Sequence, residues 1–479
     1  MRNIVFITAD QLRWDALGFQ NRFPVQTPTL DALANGGYCF ENAYSANPLC
    51  VPARASIMTG RYCCDTGLYY NDGNWKPSLK TIPGELSRNN YYTVAVGKMH
   101  FRPTHANFGF DKRIADTYDY NGHLAARGHQ PPKPPAGDGT IHNPARIEWV
   151  YGTERWDLPA EDYHTPWVTE AALSELERID ERRDLAPEAN EPFFMWLSYV
   201  KPHVPCNPPE PYGSMYNPDD LPGPVRTEEE VDRFPRALAR FKRHWDVLSD
   251  DTIRRLRARY LGDVTLIDEQ IGRVIERLKE MGVWENTTVI FTSDHGDHLG
   301  DHWLQQKSFF FESSAKVPLI FYGPDVIGGG SSQENVSHID LMPTLLEYCG
   351  LTMPADRDEV GNLLYDYADF GDAISLLPWL TGQTTESGRR VVVSESGVHG
   401  LHVMAKQGND KYTYYADSGE FEYFNLEDDP EELDNHLGAY RWETLPEEVE
   451  ATLTDVLARA KEHEGTTYRS ASVLAPMFT

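Results

Sequence analysis

Residues 47–60 read NPLCVPARASIMTG: Cys50, then Pro52 and Arg54 at intervals of two, then Met58-Thr59-Gly60. A helix is expected over Ala53 to Thr59. Taken alone, the stretch fits a buried free cysteine beside a turn proline, because free cysteine packs as a small hydrophobe. Its weight comes from where the rest of the chain places charge.

Asn3 to Thr8, NIVFIT, is a short apolar run of the kind a buried parallel strand shows, and Asp10-Gln11 follow at its carboxyl end. Ligands of open α/β sheets bind outside the carboxyl ends of strands, which makes an acidic residue there a metal-ligand candidate. An aspartate capping a helix would look the same. The pattern recurs: Thr288 to Ser293, TVIFTS, ends in Asp294-His295-Gly296-Asp297. Two strand ends that each offer a carboxylate suit a hard cation held by oxygen ligands. A third strand, Thr93 to Val96, ends in Gly97-Lys98-Met99-His100, and a fourth, Pro192 to Tyr199, closes on Lys201-Pro202-His203-Val204-Pro205. The fifth, Val317 to Tyr322, follows a segment carrying Lys307, and Asn71 is a further candidate for the site wall. From Asp251 to Met281 apolar residues step by three and four, predicting one long amphipathic helix packed on the sheet.

At 479 residues the chain exceeds one ordinary core, so one large domain and one small are expected. The balance of 44 Lys+Arg against 73 Asp+Glu, a formal charge of -29, disfavours nucleic acid or an anionic membrane surface as partner. No run approaches the roughly 18 apolar residues of a membrane span. Residues 1–15 show no signal-peptide cleavage site, and six cysteines without zinc or C-x-x-C spacing suit reduced thiols, so a cytoplasmic protein is expected. A catalytic domain is expected over 1–398, with a pocket-shaping insertion at about 101–190 that contains QPPKPPAGDG at 130–139. Tyr118, Tyr120, Trp149, Tyr151, Trp156 and Tyr163 are its candidate wall residues. An acidic linker from Pro354 to Asp372 and a strand at Val391 to Ser394 returning to the main sheet complete the domain. A small subdomain at 399–479 is expected to hold antiparallel strands at Leu401–Ala405, Lys411–Tyr415 and Glu422–Leu426, and a closing helix from Pro446 to Lys461.

Together these stretches resemble the formylglycine-dependent sulfatases of the alkaline-phosphatase-like superfamily. Cys50-Val51-Pro52-Ala53-Arg54 with Met58-Thr59-Gly60 is similar to the motif whose cysteine is oxidised to an aldehyde. Asp10-Gln11 and Asp294-His295 resemble the family's metal half-sites, but depart from the Asp-Asp and Asp-Asn of many members. This Gln-and-His variant resembles the branch of choline sulfatases and phosphonate monoester hydrolases. The Gly-Lys-x-His run, the Lys-Pro-His-x-Pro run, the Lys307 segment and Asn425 to Glu432 match as well. The resemblance implies an α/β fold: a large, mostly parallel, mixed sheet between helices, with a small C-terminal α+β subdomain carrying an antiparallel sheet. It also implies that Cys50 becomes formylglycine and that Asp10, Gln11, Asp294, His295 and residue 50 surround one divalent cation. Calcium is the first choice, with manganese as the alternative because imidazole tolerates softer metals.

A sulfate monoester is anionic and its sulfur resists attack, so its hydrolysis needs a strong nucleophile, a cationic cradle and an acid for the departing oxygen. The resemblance assigns the nucleophile to residue 50, sulfate contacts to Arg54, Lys98 and Lys307, the leaving-group side to His203, and the nucleophile's hydroxyl to His100. A phosphonate monoester or phosphodiester hydrolase on the same scaffold is the alternative. Lys98 and His100 argue against it, since the resemblance implies tyrosine and threonine there in phosphonate monoester hydrolases. A non-catalytic anion-binding protein would lack one of these residues, and none is missing. The expected partners are a small sulfated substrate (choline, aryl or carbohydrate sulfate) and a formylglycine-generating enzyme during maturation. Neither nucleic acid nor membrane is expected, and homo-oligomerisation is left open.

Overall fold

The computed structural model describes residues 2–75, 79–130, 156–185, 191–242, 248–351, 356–357, 363–365, 372–383, 391–398, 400–436 and 441–463. Its centre is strand β1 (Asn3–Asp10), all eight residues of which are buried. β1 pairs in parallel with β5 (Phe193–Pro202) on one side and β6 (Thr287–Ser293) on the other. Alternate residues serve opposite faces, as the two-residue period of a strand requires. Val5 and Ile7 join a core with Leu176, Val264 and Ile267, on the long helices His164–Leu185 and Asp250–Glu280. Ile4 and Phe6 face Val51, Ile57 and Leu345, on the helices Cys50–Thr59 and Leu341–Tyr348. Burial on both faces explains why Ile4 to Ile7 reads as a continuous apolar run.

Outward from β5 the sheet continues in parallel through β3 (Tyr92–Gly97) to β4 (Lys112–Ile114). On the other flank it turns mixed. β8 (Leu319–Tyr322) is antiparallel to β6 and to β2 (Tyr38–Tyr44), while β7 (Lys316–Val317) is antiparallel and β9 (Gly330–Ser337) parallel to β2. Pro318 divides the expected fifth strand into β7 and β8, since proline has no N–H for the ladder. The expected long helix is present as Asp250–Glu280, with Ser249 accepting from Thr252 N at its start. A two-stranded ribbon, β10 (Asp356–Arg357) with β11 (Leu363–Tyr365), lies in the acidic linker. The rest of that linker as far as residue 371, residues 131–139 of the proline-rich stretch, Trp149 and Tyr151 lie outside the described residues.

The second sheet is a four-stranded antiparallel meander of β12 (Val392–Ser396), β13 (His402–Gln407), β14 (Asp410–Tyr415) and β15 (Glu420–Asn425). The expectation that Val391 to Ser394 returns to the main sheet is wrong: Val392 pairs with Lys406 and Ser394 with Met404. Val393 packs with Val403 and the closing helix, while Val392 and Met404 join Tyr44 and Phe310 on the opposite face. A strand buried on both faces has the same apolar signature in either sheet. The closing helix runs Glu447–Lys461 and has Pro446 as its N-cap rather than inside its first turn. It lays Val449, Leu453, Val456 and Ala460 on this small sheet.

Candidate active site

Cys50 is the first residue of its helix, which therefore begins three residues before the expected Ala53. Pro52 is tolerated because first-turn N–H groups have no intrahelical acceptor to lose. Asn71 accepts a hydrogen bond from Val51 N at 3.0 Å, so the side chain flagged as a wall residue satisfies one of those N–H groups beside Cys50. At the other end Gly60, at φ 66°, closes the helix by donating its N–H to Ser56 O. The helix places Cys50 and Arg54 one turn apart, and both are buried.

Around Cys50 Sγ the ends of β1 and β6 converge. His295 Nε2 lies at 3.3 Å and Asp10 Oδ1 at 3.8 Å. The ligating atoms of Asp10, Cys50, Asp294 and His295 all lie within 4.8 Å of one another. Asp294 Oδ1 also accepts from Gln11 N and from its neighbour's N–H, both at 3.0 Å, which ties the two strand ends together. His295 Nδ1 donates to Gly296 O at 3.0 Å and so turns the lone pair of Nε2 to the centre. Burial would lower the pKa of His295, yet Asp294 raises it overall, a sign of how negative this centre is.

Cations close the centre from the other side. Lys307 Nζ approaches Cys50 Sγ to 3.3 Å and Gln11 Oε1 to 2.6 Å; Lys98 Nζ lies 3.9 Å from Sγ and forms an ion pair with Asp10. Arg54 Nε donates to Asp294 Oδ2 at 3.0 Å, and Nη1 donates to Lys98 O at 2.5 Å and Ser198 Oγ at 2.8 Å. Burial alone would raise the Asp10 carboxyl, but Lys98, His203, Lys307 and Arg54 together hold it well below the usual range. Burial and Asp10 push the Cys50 thiol up; Lys307, Lys98 and His295 outweigh them and bring it well below. Both remaining histidines are held down by burial first: His203 with help from Lys307 and Lys98, and His100 with help from Lys98.

The described residues therefore bring Asp10, Gln11, Cys50, Arg54, Lys98, Lys307 and the Asp294-His295 pair together, with His100 touching Cys50 and His203 facing the same lysines. Gln11, in the left-handed region at φ 67°, gives its amide oxygen to Lys307 and its amide nitrogen to Asp297. The carboxylates of Asp10 and Asp294, the imidazole nitrogen of His295 and the Cys50 sulfur make a donor set that fits a divalent cation. The groups that support the site carry no local signal in the sequence. Ser198 holds Arg54, and Tyr260 bridges Gln11 O at 2.7 Å and Arg13 N at 2.8 Å, fixing the strained turn after β1. Tyr260 lies on the apolar face of the long amphipathic helix, where nothing local distinguishes its hydroxyl.

The sulfatase family model matches residues 2–351 of the chain. An arylsulfatase of Clostridium perfringens is 31% identical over 471 residues, covering 91% of this chain and 90% of that protein. A choline-sulfatase of Rhizobium meliloti is 30% identical over 447 residues, covering 90% and 82%. Among solved structures, the phosphonate monoester hydrolase of Silicibacter pomeroyi superposes with a TM-score of 0.75 at 25% identity, covering 98% of this chain and 96% of that one. That of Agrobacterium radiobacter gives 0.73 at 22%, covering 97% and 96%. The expected fold class holds, and it is alkaline-phosphatase-like. With the family model on most of its length and relatives of about 30% identity over some nine tenths of it, the chain belongs to the sulfatase family.

Proposed function

We propose that this enzyme hydrolyses a sulfate monoester to an alcohol and inorganic sulfate at Cys50. The observation that carries the reading is one buried cluster in which Cys50 Sγ faces the Asp10, Asp294 and His295 ligand atoms on one side and Lys98 and Lys307 on the other. Formylglycine made from Cys50 by a formylglycine-generating enzyme supplies, once hydrated, an oxygen nucleophile and a second hydroxyl, which a thiol lacks. A divalent cation held by Asp10, Asp294, His295 and residue 50 beside Gln11, calcium first and manganese second, supplies charge that favours the deprotonated nucleophile.

The chain's own groups do the rest. Lys98 and Lys307 sit close enough to residue 50 to offset charge on the sulfuryl oxygens of a bound ester, with Arg54 behind them fixing both aspartates. His100, kept neutral by burial and touching Cys50, is placed to accept a proton from a hydroxyl on residue 50. His203 donates Nδ1–H to Val204 O at 2.8 Å, which leaves Nε2 to carry the proton for the departing alcohol. Burial holds His203 down first, with Lys307 and Lys98 adding to it, and a sulfate bound between the lysines would offset their part. We assign the site to residues 1–398 and treat 399–479 as a small subdomain, which β12 joins from the preceding segment and whose Lys411 reaches back to Glu312 at 3.0 Å.

The phosphonate reading is kept because two similar structures are phosphonate monoester hydrolases. Lys98 and His100 beside Cys50 favour sulfate. The test uses protein whose Cys50 conversion is verified by intact mass, and compares kcat/KM on choline, aryl and hexose sulfates with that on a phenyl phosphonate monoester. Faster turnover of a sulfate ester is expected; faster phosphonate turnover overturns the reading.

A further inference from the structure

We propose that His164 is a specificity-determining residue that hydrogen-bonds a hydroxyl group on the alcohol portion of the ester, so that the preferred substrate is the sulfate of a polyhydroxylated, carbohydrate-like alcohol. The inference rests on the sulfatase reading above. Strands β3 and β5 are neighbours; Lys98 directly follows the first, and Lys201 lies at the end of the second. The 22-residue helix His164–Leu185 packs against both of them. A Cβ on Gly97 would lie 2.9 Å from Val168 Cγ1, which puts this helix in van der Waals contact with the backbone just before Lys98. His164 is one turn earlier than Val168 on the same helix face, near enough to Lys201 and Lys98 for both charges to act on it. Tyr163, its neighbour in the chain, has Lys201 Nζ 5.2 Å from its ring centre.

His164 is 4% exposed, and neither ring nitrogen has a hydrogen-bond partner on any other described residue. Burying a polar ring without partners is costly, and such groups are rare unless something else completes them. Burial, Lys201 and Lys98 push its pKa down to about 3, so the ring is neutral and offers one donor and one acceptor at any working pH. A hydroxyl answers both, because it donates and accepts. The surroundings hold the ring still: Tyr120 lies at 4.7 Å and Trp167 at 5.3 Å between ring centres, and both are only partly buried, so the cluster opens outward. Asp162 is fully buried against Arg127, with His129 Nε2 at 3.0 Å and His123 Nε2 at 3.4 Å, and is not left to receive a quaternary ammonium.

The test compares glucose 6-sulfate, ethyl sulfate and choline sulfate on converted wild-type enzyme, His164→Phe and His164→Gln. The wild type is expected to have a higher kcat/KM on the hexose sulfate than on the other two. The hexose-to-ethyl ratio should fall about tenfold or more in His164→Phe and far less in His164→Gln, which keeps a donor and an acceptor. A ratio unchanged in His164→Phe, or a wild type that prefers choline or ethyl sulfate, overturns the proposal; the wild-type ranking decides even if a variant fails to fold. Absence of sulfate release from all three esters and from an aryl sulfate would instead sink the underlying sulfatase reading.

Discussion

Two buried ionic networks lie only a few residues apart along the chain, and they are built on opposite plans. In one, Arg13 gives Nε and Nη2 to Asp15, both at 2.8 Å, and Nη1 to Asp301 at 2.7 Å and to the carbonyls of Asp297 and His298. Arg257 gives Nη2 to the other Asp301 oxygen at 2.6 Å and its remaining N–H groups to Leu299, Pro222 and Gly223 carbonyls. Every side-chain nitrogen and oxygen of these four residues has a partner. In the other network Arg54 Nη2 and His100 Nδ1 have no hydrogen-bond partner among the described residues, and Asp10 Oδ2 meets Lys98 and Arg54 only as ion pairs. Satisfied buried charge specifies a scaffold; buried charge with unfilled hydrogen bonds is kept for an ion or a substrate.

The largest effect should come from the incomplete network. Asp10→Asn is expected to lower kcat by about a thousandfold and to cut metal content measured by elemental analysis. Next, Asp301→Asn strips charge from the complete network, and breaking such a pair costs about 3–5 kcal/mol of stability. Denaturant unfolding should show that loss in Asp301→Asn and a smaller one in Asp10→Asn. Equal destabilisation of the two, or full metal occupancy in Asp10→Asn, would erase the distinction between them.

The incomplete network was the more legible of the two in the sequence. Asp10 and Asp294 stand directly after apolar runs, and Lys98 and His203 close two more, so strand ends can be read as a site before any pairing is known. Arg13 and Asp301 are as buried as those residues, but they sit in charged, turn-like stretches that look solvated. Only tertiary pairing across 288 residues shows that they are a unit. Strand order was hidden for the same reason: β5 inserts between β3 and β1, and no local signal dictates that. β9, GSSQENVS, carries a single β-branched residue and was not read as a strand, yet it pairs with β2 because the register at Asn42 to Tyr44 is available. The aromatic wall was legible as composition only; that Tyr120 supports an unpartnered His164 required the fold.

Glu395 sharpens the comparison at its smallest scale, as a buried carboxylate with hydrogen bonds but little opposing charge. It accepts from Tyr69 OH at 2.8 Å and Cys64 N at 3.0 Å, and burial still pushes its pKa up to about 7. The folded state then keeps a proton that the unfolded chain releases near pH 4.5, so stability falls as pH rises through that interval and levels off above 7. The loss is expected to reach up to roughly 3 kcal/mol and to be absent from Glu395→Gln. Parallel melting curves of parent and variant from pH 5 to 8 would reject this by keeping a constant separation.

The central claim is that residue 50 supplies the nucleophile for sulfate ester cleavage, and one paired assay reaches it directly. Inorganic sulfate release is measured on protein whose Cys50 conversion is established by intact mass, beside Cys50→Ala matched for melting temperature and metal content. The converted protein should release sulfate and Cys50→Ala should stay at background; release by Cys50→Ala at a rate near the parent's would contradict the claim.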